Sequence, residues 1–192
     1  MSYEPPRPAG RLLLTPEDKE APARARRLRG LGLGERPEPA LDAFATRLAE
    51  HTGAPYAMVN FLAGNGQFFA GLHLADPVPV VREDGTRPEI GRFLPREHGF
   101  CTHVVARRRA LALDDVRDYP RFAGNPVVDE FGVRSYLGAP MIDTLGMVLG
   151  TVSVSDVTPR PWGRPGLETI KAAAAELAAR LERREADGLP AL

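Results

Sequence analysis

The chain is poor in three things. It has a single cysteine, Cys101, so no intramolecular disulfide can form and no second thiol stands by to resolve an oxidised first one. It has only two lysines, Lys19 and Lys171, and its 25 basic and 25 acidic side chains cancel. That balance excludes a nucleic-acid footprint, which needs a net basic surface to displace counterions from phosphates. No apolar run reaches the length needed to span a bilayer, and the N-terminal MSYEPPRPAG lacks the apolar stretch of a secretory signal. A cytoplasmic protein without membrane or nucleic-acid partners is expected, and no internal repeat is visible.

What is present is globular. The 192 residues, 43% hydrophobic and 26% charged, suffice for one domain with a full core. Residues 1–14 are Pro-rich and read as a disordered tail, with a short second tail at 188–192. Thr15-Pro16 resembles a helix start and Gly30 or Gly32 its end, with Pro22 an interruption, which makes 15–36 an N-terminal helix and linker. Its cluster Arg24, Arg26, Arg27 and Arg29, near Glu17, Asp18 and Glu20, reads as a solvated face.

The main domain is placed at 37–187. Leu41, Phe44, Ala45, Leu48 and Ala49 fall at helical spacing, predicting a helix at about 38–52. Two strands follow around Gly64-Asn65-Gly66, a hairpin signature. Residues 75–99 have no period and read as a long loop, a lid or binding segment. After FCTHVVARRR come a short strand, ALALDD, an irregular stretch, and two strands, RSYLGAPMID and MVLGTVSVSD. In the last helix Leu167, Ile170, Ala174, Leu177 and Leu181 step by 3, 4, 3 and 4, a seam suited to a homodimer or to the domain's own sheet. The order predicts an α+β fold, an antiparallel sheet with terminal helices on one face and loops on the other.

The segments LP-x3-GFCTHVV, DDVRDYPRFAGNPVV, GVRSYLGAPM and LGTVSVSD, with Trp162 before the last helix, resemble the GAF domain of bacterial signalling proteins, and residues 27–73 are similar to that family's start. The resemblance implies a six-stranded antiparallel sheet with a pocket closed by loops, and a stand-alone sensor or regulatory module. One branch of the family reduces free methionine sulfoxide, but that chemistry requires a second cysteine. No enzymatic activity is therefore expected.

At about 100° per residue, Phe100, Cys101, Val104 and Val105 share one apolar arc, while Thr102, His103, Ala106 and Arg107 occupy the rest. Cys101 is read as a buried apolar filler, with His103 pointing away, so a Cys–His pair or chelate is disfavoured. No metal site is expected and any cofactor is unknown. Haem on His103 or His73, or a tetrapyrrole on Cys101, finds no support in the pattern.

The candidate ligand site gathers Asp115, Arg121, Phe122, Asn125, Arg134 and Tyr136, polar groups over an apolar wall, with Ser153 and Ser155 on the hydroxyl-lined face of the last strand. On that strand Val148, Val152 and Val154 share the opposite face. Two arginines suggest an anionic or carbonyl-bearing ligand, unless Asp115 satisfies one of them. The structural alternative gives Asn125-Pro126 to a helix cap and the polar strand faces to water.

The chain stops at Leu192 with no output segment in sight, so signalling through a separate effector protein is expected. A dimerisation or scaffold domain without ligand is the competing function.

Overall fold

The computed structural model describes residues 15–34, 36–64 and 66–188. The expected tail at 1–14, the expected tail at 188–192 apart from Gly188, and Asn65 of the hairpin lie outside them.

Helix α1 (Ala21–Gly30) is followed by α2 (Pro39–Thr52), strands β1 (Tyr56–Ala63), β2 (Gly66–Leu74) and β3 (Phe93–Pro95), helix α3 (Cys101–Arg107), strand β4 (Leu111–Leu113), short helix α4 (Pro126–Glu130), strands β5 (Ser135–Ile142) and β6 (Val148–Asp156), and helix α5 (Gly163–Ala186). The six strands form one antiparallel sheet in the order β3-β2-β1-β6-β5-β4. The predicted α+β architecture is the observed one. No described helix is long and apolar enough to cross a membrane.

The back of the sheet carries α1, α2 and α5. Helix α2 starts with a proline in its first turn and ends on Gly53 in the left-handed region, as helices commonly stop. It lies so close to β2 that a Cβ on Gly71 would overlap the Leu41 carbonyl. Ile170, Ala174, Leu177 and Leu181 of α5 join Leu41, Leu137 and Val152 in one buried apolar cluster. The seam suited to a dimer is therefore turned onto the chain's own sheet.

Helix α1 departs from expectation twice. It begins at Ala21, with Pro22 inside its first turn where the missing N–H costs nothing, rather than at Thr15. Its arginines form a solvated face only in part: Arg26 and Arg29 are exposed, Arg27 is half-buried. Arg24 is fully buried, its Nε donating to the Val148 carbonyl (2.5 Å) and its guanidinium paired with Asp18 (2.5 and 3.1 Å). Burial pushes the Asp18 carboxyl up, but Arg24 and Arg96 outweigh it and hold the group below the usual carboxylate range.

The front of the sheet carries α3, α4 and the loops. The predicted loop at 75–99 contains β3, three residues pairing with Gly66–Phe68. Strand β6 carries a bulge: Met141 faces Gly150 and Ile142 faces Val148, which leaves Leu149 as the extra residue. Val148 is thereby turned to the front cluster, while Val152, Val154 and Leu149 lie in the rear one, so the expected Val148, Val152 and Val154 face is broken. Nor do the polar strand faces meet water, since Thr151, Ser153 and Ser155 are all buried.

Candidate functional site

Alternation along the three central strands sets up the site. Tyr56 of β1, Ser155 of β6 and Tyr136 of β5 are register partners, so they form one row across the front of the sheet. Above this row lies a cavity of about 60 Å³. Met58, Phe69 and Leu74 continue its floor, and Ile90, Leu94, Phe131 and Val133 supply apolar walls. His98, Gly99, Phe100 and Cys101 close it from the segment leading into α3.

That segment is fixed by two amides. Gln67 accepts from Asn60 (2.8 Å) and donates to the carbonyls of Pro95 (3.0 Å) and His98. Asn125 donates to the carbonyls of Glu97 (3.2 Å) and Gly99 (2.9 Å), while its oxygen accepts from the N–H groups of Gly99 (2.7 Å) and Val127 (3.3 Å). Asn125 therefore caps α4 and staples the cavity wall, and its hydrogen-bonding capacity is used up within the protein.

Tyr136 is fully buried with its ring against Phe100 (5.1 Å between centroids) and its hydroxyl 3.5 Å from the Cys101 sulfur. The ring lies over Gly138, where a Cβ would collide with the hydroxyl. Burial, and after it Cys101, pushes the Tyr136 phenol well above its ordinary range. Ser153 lies 4.0 Å from the same sulfur. Cys101 is 5% exposed, enclosed as an apolar filler is.

Tyr56 differs. It is 3% exposed, and its hydroxyl has no protein partner. Burial, then the charge of Asp156, pushes its pKa up to about 12, so the group is a neutral O–H donor at any physiological pH. His98 Nδ1 likewise makes no hydrogen bond and lies 3.7 Å from the Glu130 carboxylate. Among the described residues no Arg, Lys, Asp or Glu lines the cavity.

Of the eight residues expected from sequence, the cavity brings together Tyr136 and Ser155. Arg134 forms a two-point pair with Asp115 (3.1 and 2.5 Å). Asp115 also accepts from the Arg117 N–H (3.1 Å), and its carboxyl is held below the usual range by Arg134 first. Arg121 is exposed, with its guanidinium 5.9 Å from the Phe122 ring centre. Phe122 is buried edge-on to Phe100 (5.6 Å) and His103 (4.9 Å).

His103 is itself buried rather than turned outward, because Phe122 covers the side of α3 that helical geometry points away from the sheet. Burial, then the charges of Arg121 and Arg107, lowers its pKa to about 4. His73 bonds Thr46 of α2 at 3.2 Å, so neither histidine weighed for haem lines the cavity. No group of three metal-ligating side chains occurs among the described residues.

Sequence reasoning missed Tyr56, Gln67 and His98. The first two carried a signal, a polar tip or amide within apolar alternation in YAMVNFLA and GQFFAG. His98 carried none.

The model of the GAF domain matches residues 36–181. The chain belongs to the GAF domain family. Such domains are typically regulatory or sensory modules that bind small molecules. Among solved structures, the fold is similar to the GAF domain of a phosphoenolpyruvate-protein phosphotransferase from Coxiella burnetii, with a TM-score of 0.59 and 18% identity over 88% of this chain and 96% of that one. It is also similar to the blue-light absorbing form of the PixJ GAF domain from Thermosynechococcus elongatus, with a TM-score of 0.58 and 16% identity over 85% and 89% of the two chains. At these identities the likeness concerns the fold. A cyclic di-GMP phosphodiesterase of Pseudomonas aeruginosa is 36% identical over 70 residues, which cover 36% of this chain and 12% of that protein.

Proposed function

We propose that this GAF domain is a cytoplasmic, non-catalytic sensor module that takes a small molecule into the cavity between sheet and loops and passes the occupancy to a separate effector protein. The observation that carries the proposal is the cavity itself, about 60 Å³ between the row Tyr56, Ser155 and Tyr136 and the loops in front of the sheet, in a family whose members typically bind small molecules. A binding role is favoured over a catalytic one because Cys101, the sole thiol, is enclosed against Tyr136 and Ser153.

The cyclic dinucleotide in the Pseudomonas protein's name suits this site poorly. It is a multi-ring dianion, whereas the cavity is small and its lining holds no Arg or Lys. A linear tetrapyrrole suits a cavity of this volume as poorly.

Native mass spectrometry of the full purified chain tests the proposal, paired with melting before and after unfolding and refolding in clean buffer. A retained non-covalent adduct, with a melting temperature that falls once it is stripped, is the expected result. An adduct-free protein that melts identically before and after, and that no added small molecule stabilises, returns the domain to the scaffold function.

A further inference from the structure

We propose that the turn between β5 and β6, together with the groove beside it, is the surface on which an effector docks, and that the docking element is an amphipathic helix whose apolar side chains are flanked by carboxylates. This rests on the preceding proposal that the domain acts through a separate effector protein, and deepens it by naming the surface and the chemistry of the partner.

The turn displays a side chain that it does not need. Gly146 donates to the Asp143 carbonyl (2.9 Å), which makes Leu145 the third of four turn residues, where Gly, Asn, Asp and Ser serve local geometry and leucine does not. Leu145 is 80% exposed, more than any other large hydrophobic side chain among the described residues. Its neighbours are nonetheless held from three sides. The Asp143 carboxylate accepts from the Met147 N–H (2.7 Å) and from Arg27 of α1 (3.1 Å), Glu182 of α5 accepts from the N–H and hydroxyl of Thr144 (2.8 and 2.6 Å), and Arg108 at the end of α3 donates to the Gly146 carbonyl (2.5 Å). A single exposed leucine needs no explanation, but one fixed in place loses little freedom when a partner covers it.

The groove begins at the same turn. Ile142, itself exposed, lines it with Ala139, Pro140 and Leu167, and Arg108 joins groove to turn. Its rim is cationic. Arg109 and Lys171 are exposed, and among the described residues neither side chain has a hydrogen-bond or ion-pair partner. No Asp or Glu lines the groove. Of the acids on α5, Glu168 is paired with Arg164 (2.7 Å), Glu182 is taken by Thr144, and Glu176 lines a separate groove against α2.

An apolar floor under two unmatched cations calls for apolar side chains with carboxylates beside them. Because the exposed leucine and the groove lie side by side, a partner that uses both needs apolar residues repeated along one face, which a helix supplies. A second copy of this chain fits poorly, since a two-fold contact through this face sets the cations of one groove against those of the other.

The probe is a synthetic helical peptide with leucines at i, i+4 and i+7 and glutamates on either side of them, compared with a twin that carries glutamine for each glutamate. Each is titrated into the ¹⁵N-labelled full chain and followed by amide shifts. The acidic peptide is expected to saturate, to move the amides of Arg109, Ile142, Thr144, Leu145 and Lys171, and to weaken as salt is raised. Leu145→Ser is expected to weaken both peptides about tenfold. Lys171→Glu is expected to weaken the acidic peptide about fivefold and to leave the twin unchanged. Both substitutions fall at exposed positions, where the fold tolerates them.

A twin that binds as tightly as the acidic peptide overturns the partner's chemistry. Saturable shifts centred on another face overturn this surface while a separate effector stands. Self-association of the chain alone that Leu145→Ser abolishes gives the face to a second copy and overturns the effector as its occupant. Failure of both peptides to saturate overturns the docking surface and leaves the small-molecule reading to the native mass spectrum.

Discussion

The two faces of the sheet are packed by different means. Behind it, Leu41, Leu48, Leu137, Val152, Ile170 and Leu177 come from long regular elements, and all are buried in a single cluster. In front, the cover consists of the seven-residue α3, the five-residue α4 and loops, and there Phe100, Val127, Val133 and Tyr136 of the buried cluster border open space. Helices present a continuous ridge every 3.6 residues and interdigitate with a sheet, whereas loops must also satisfy their own backbone groups. Gln67 and Asn125 do that for residues 95–99, and the resulting spacing leaves the cavity open. One face holds the domain together and the other leaves a cavity.

The largest expected effect breaks the rear face. Leu177→Ala, in a fully enclosed position, should cost about 3 kcal/mol in urea unfolding, the middle of the range for buried leucine truncation. A cost under about 1 kcal/mol would show that the rear packing is no tighter than the front.

The front should respond to pH where the rear does not. Folded His103 titrates at about 4, and in the unfolded chain at its ordinary 6.5. Between those values the unfolded state binds the extra proton, so stability is full above pH 6.5 and is lost as pH falls towards 4. Between pH 8 and 5 the loss from this group should be about 2 kcal/mol. It is measured as the difference between wild type and His103→Gln, which removes the contribution of carboxylates common to both. Parallel pH profiles for the two proteins would remove His103 from the account.

The smallest effect sharpens the contrast. Leu94→Ala, at a half-buried cavity wall, should cost about 1 kcal/mol or less, because the side chain already borders open space and loses few contacts. A cost equal to that of Leu177→Ala would erase the distinction between the faces.

Where the chain is regular, its sequence was legible. The steps from Leu41 to Ala49 placed α2, the seam from Leu167 to Leu181 placed α5, the Gly64-Asn65-Gly66 hairpin signature placed β1 and β2, and alternation supported β5 and β6. Strand β3 escaped because Phe93-Leu94-Pro95 is too short to alternate and its burial is partial. The bulge at Leu149 escaped because a single extra residue leaves the composition of VLGTVSVSD unchanged while reversing Val148.

The site followed the same division. Tyr136 and Ser155 were found by strand periodicity, and Tyr56 stands on the same kind of evidence. His98, Ile90 and Leu94 lie on irregular backbone whose placement depends on distant amides. The arginines misled for a different reason. A charged residue in sequence announces a need for a partner but not which partner, and Asp115, 19 residues from Arg134, supplied it inside the protein.

Helix α1 lies wholly outside the matched region, which opens at residue 36. Yet Arg24 plugs the end of β6 at the Val148 carbonyl, and Arg27 ties Asp143 of the β5–β6 turn (3.1 Å) to Glu185 near the end of α5 (2.5 and 2.7 Å). A fragment trimmed to the family boundaries would lose its stopper and its three-way knot at once. Its opened strand end and unpaired Asp143 would belong to a different molecule, so measurements meant for this domain should be made on a chain that retains residues 15–34.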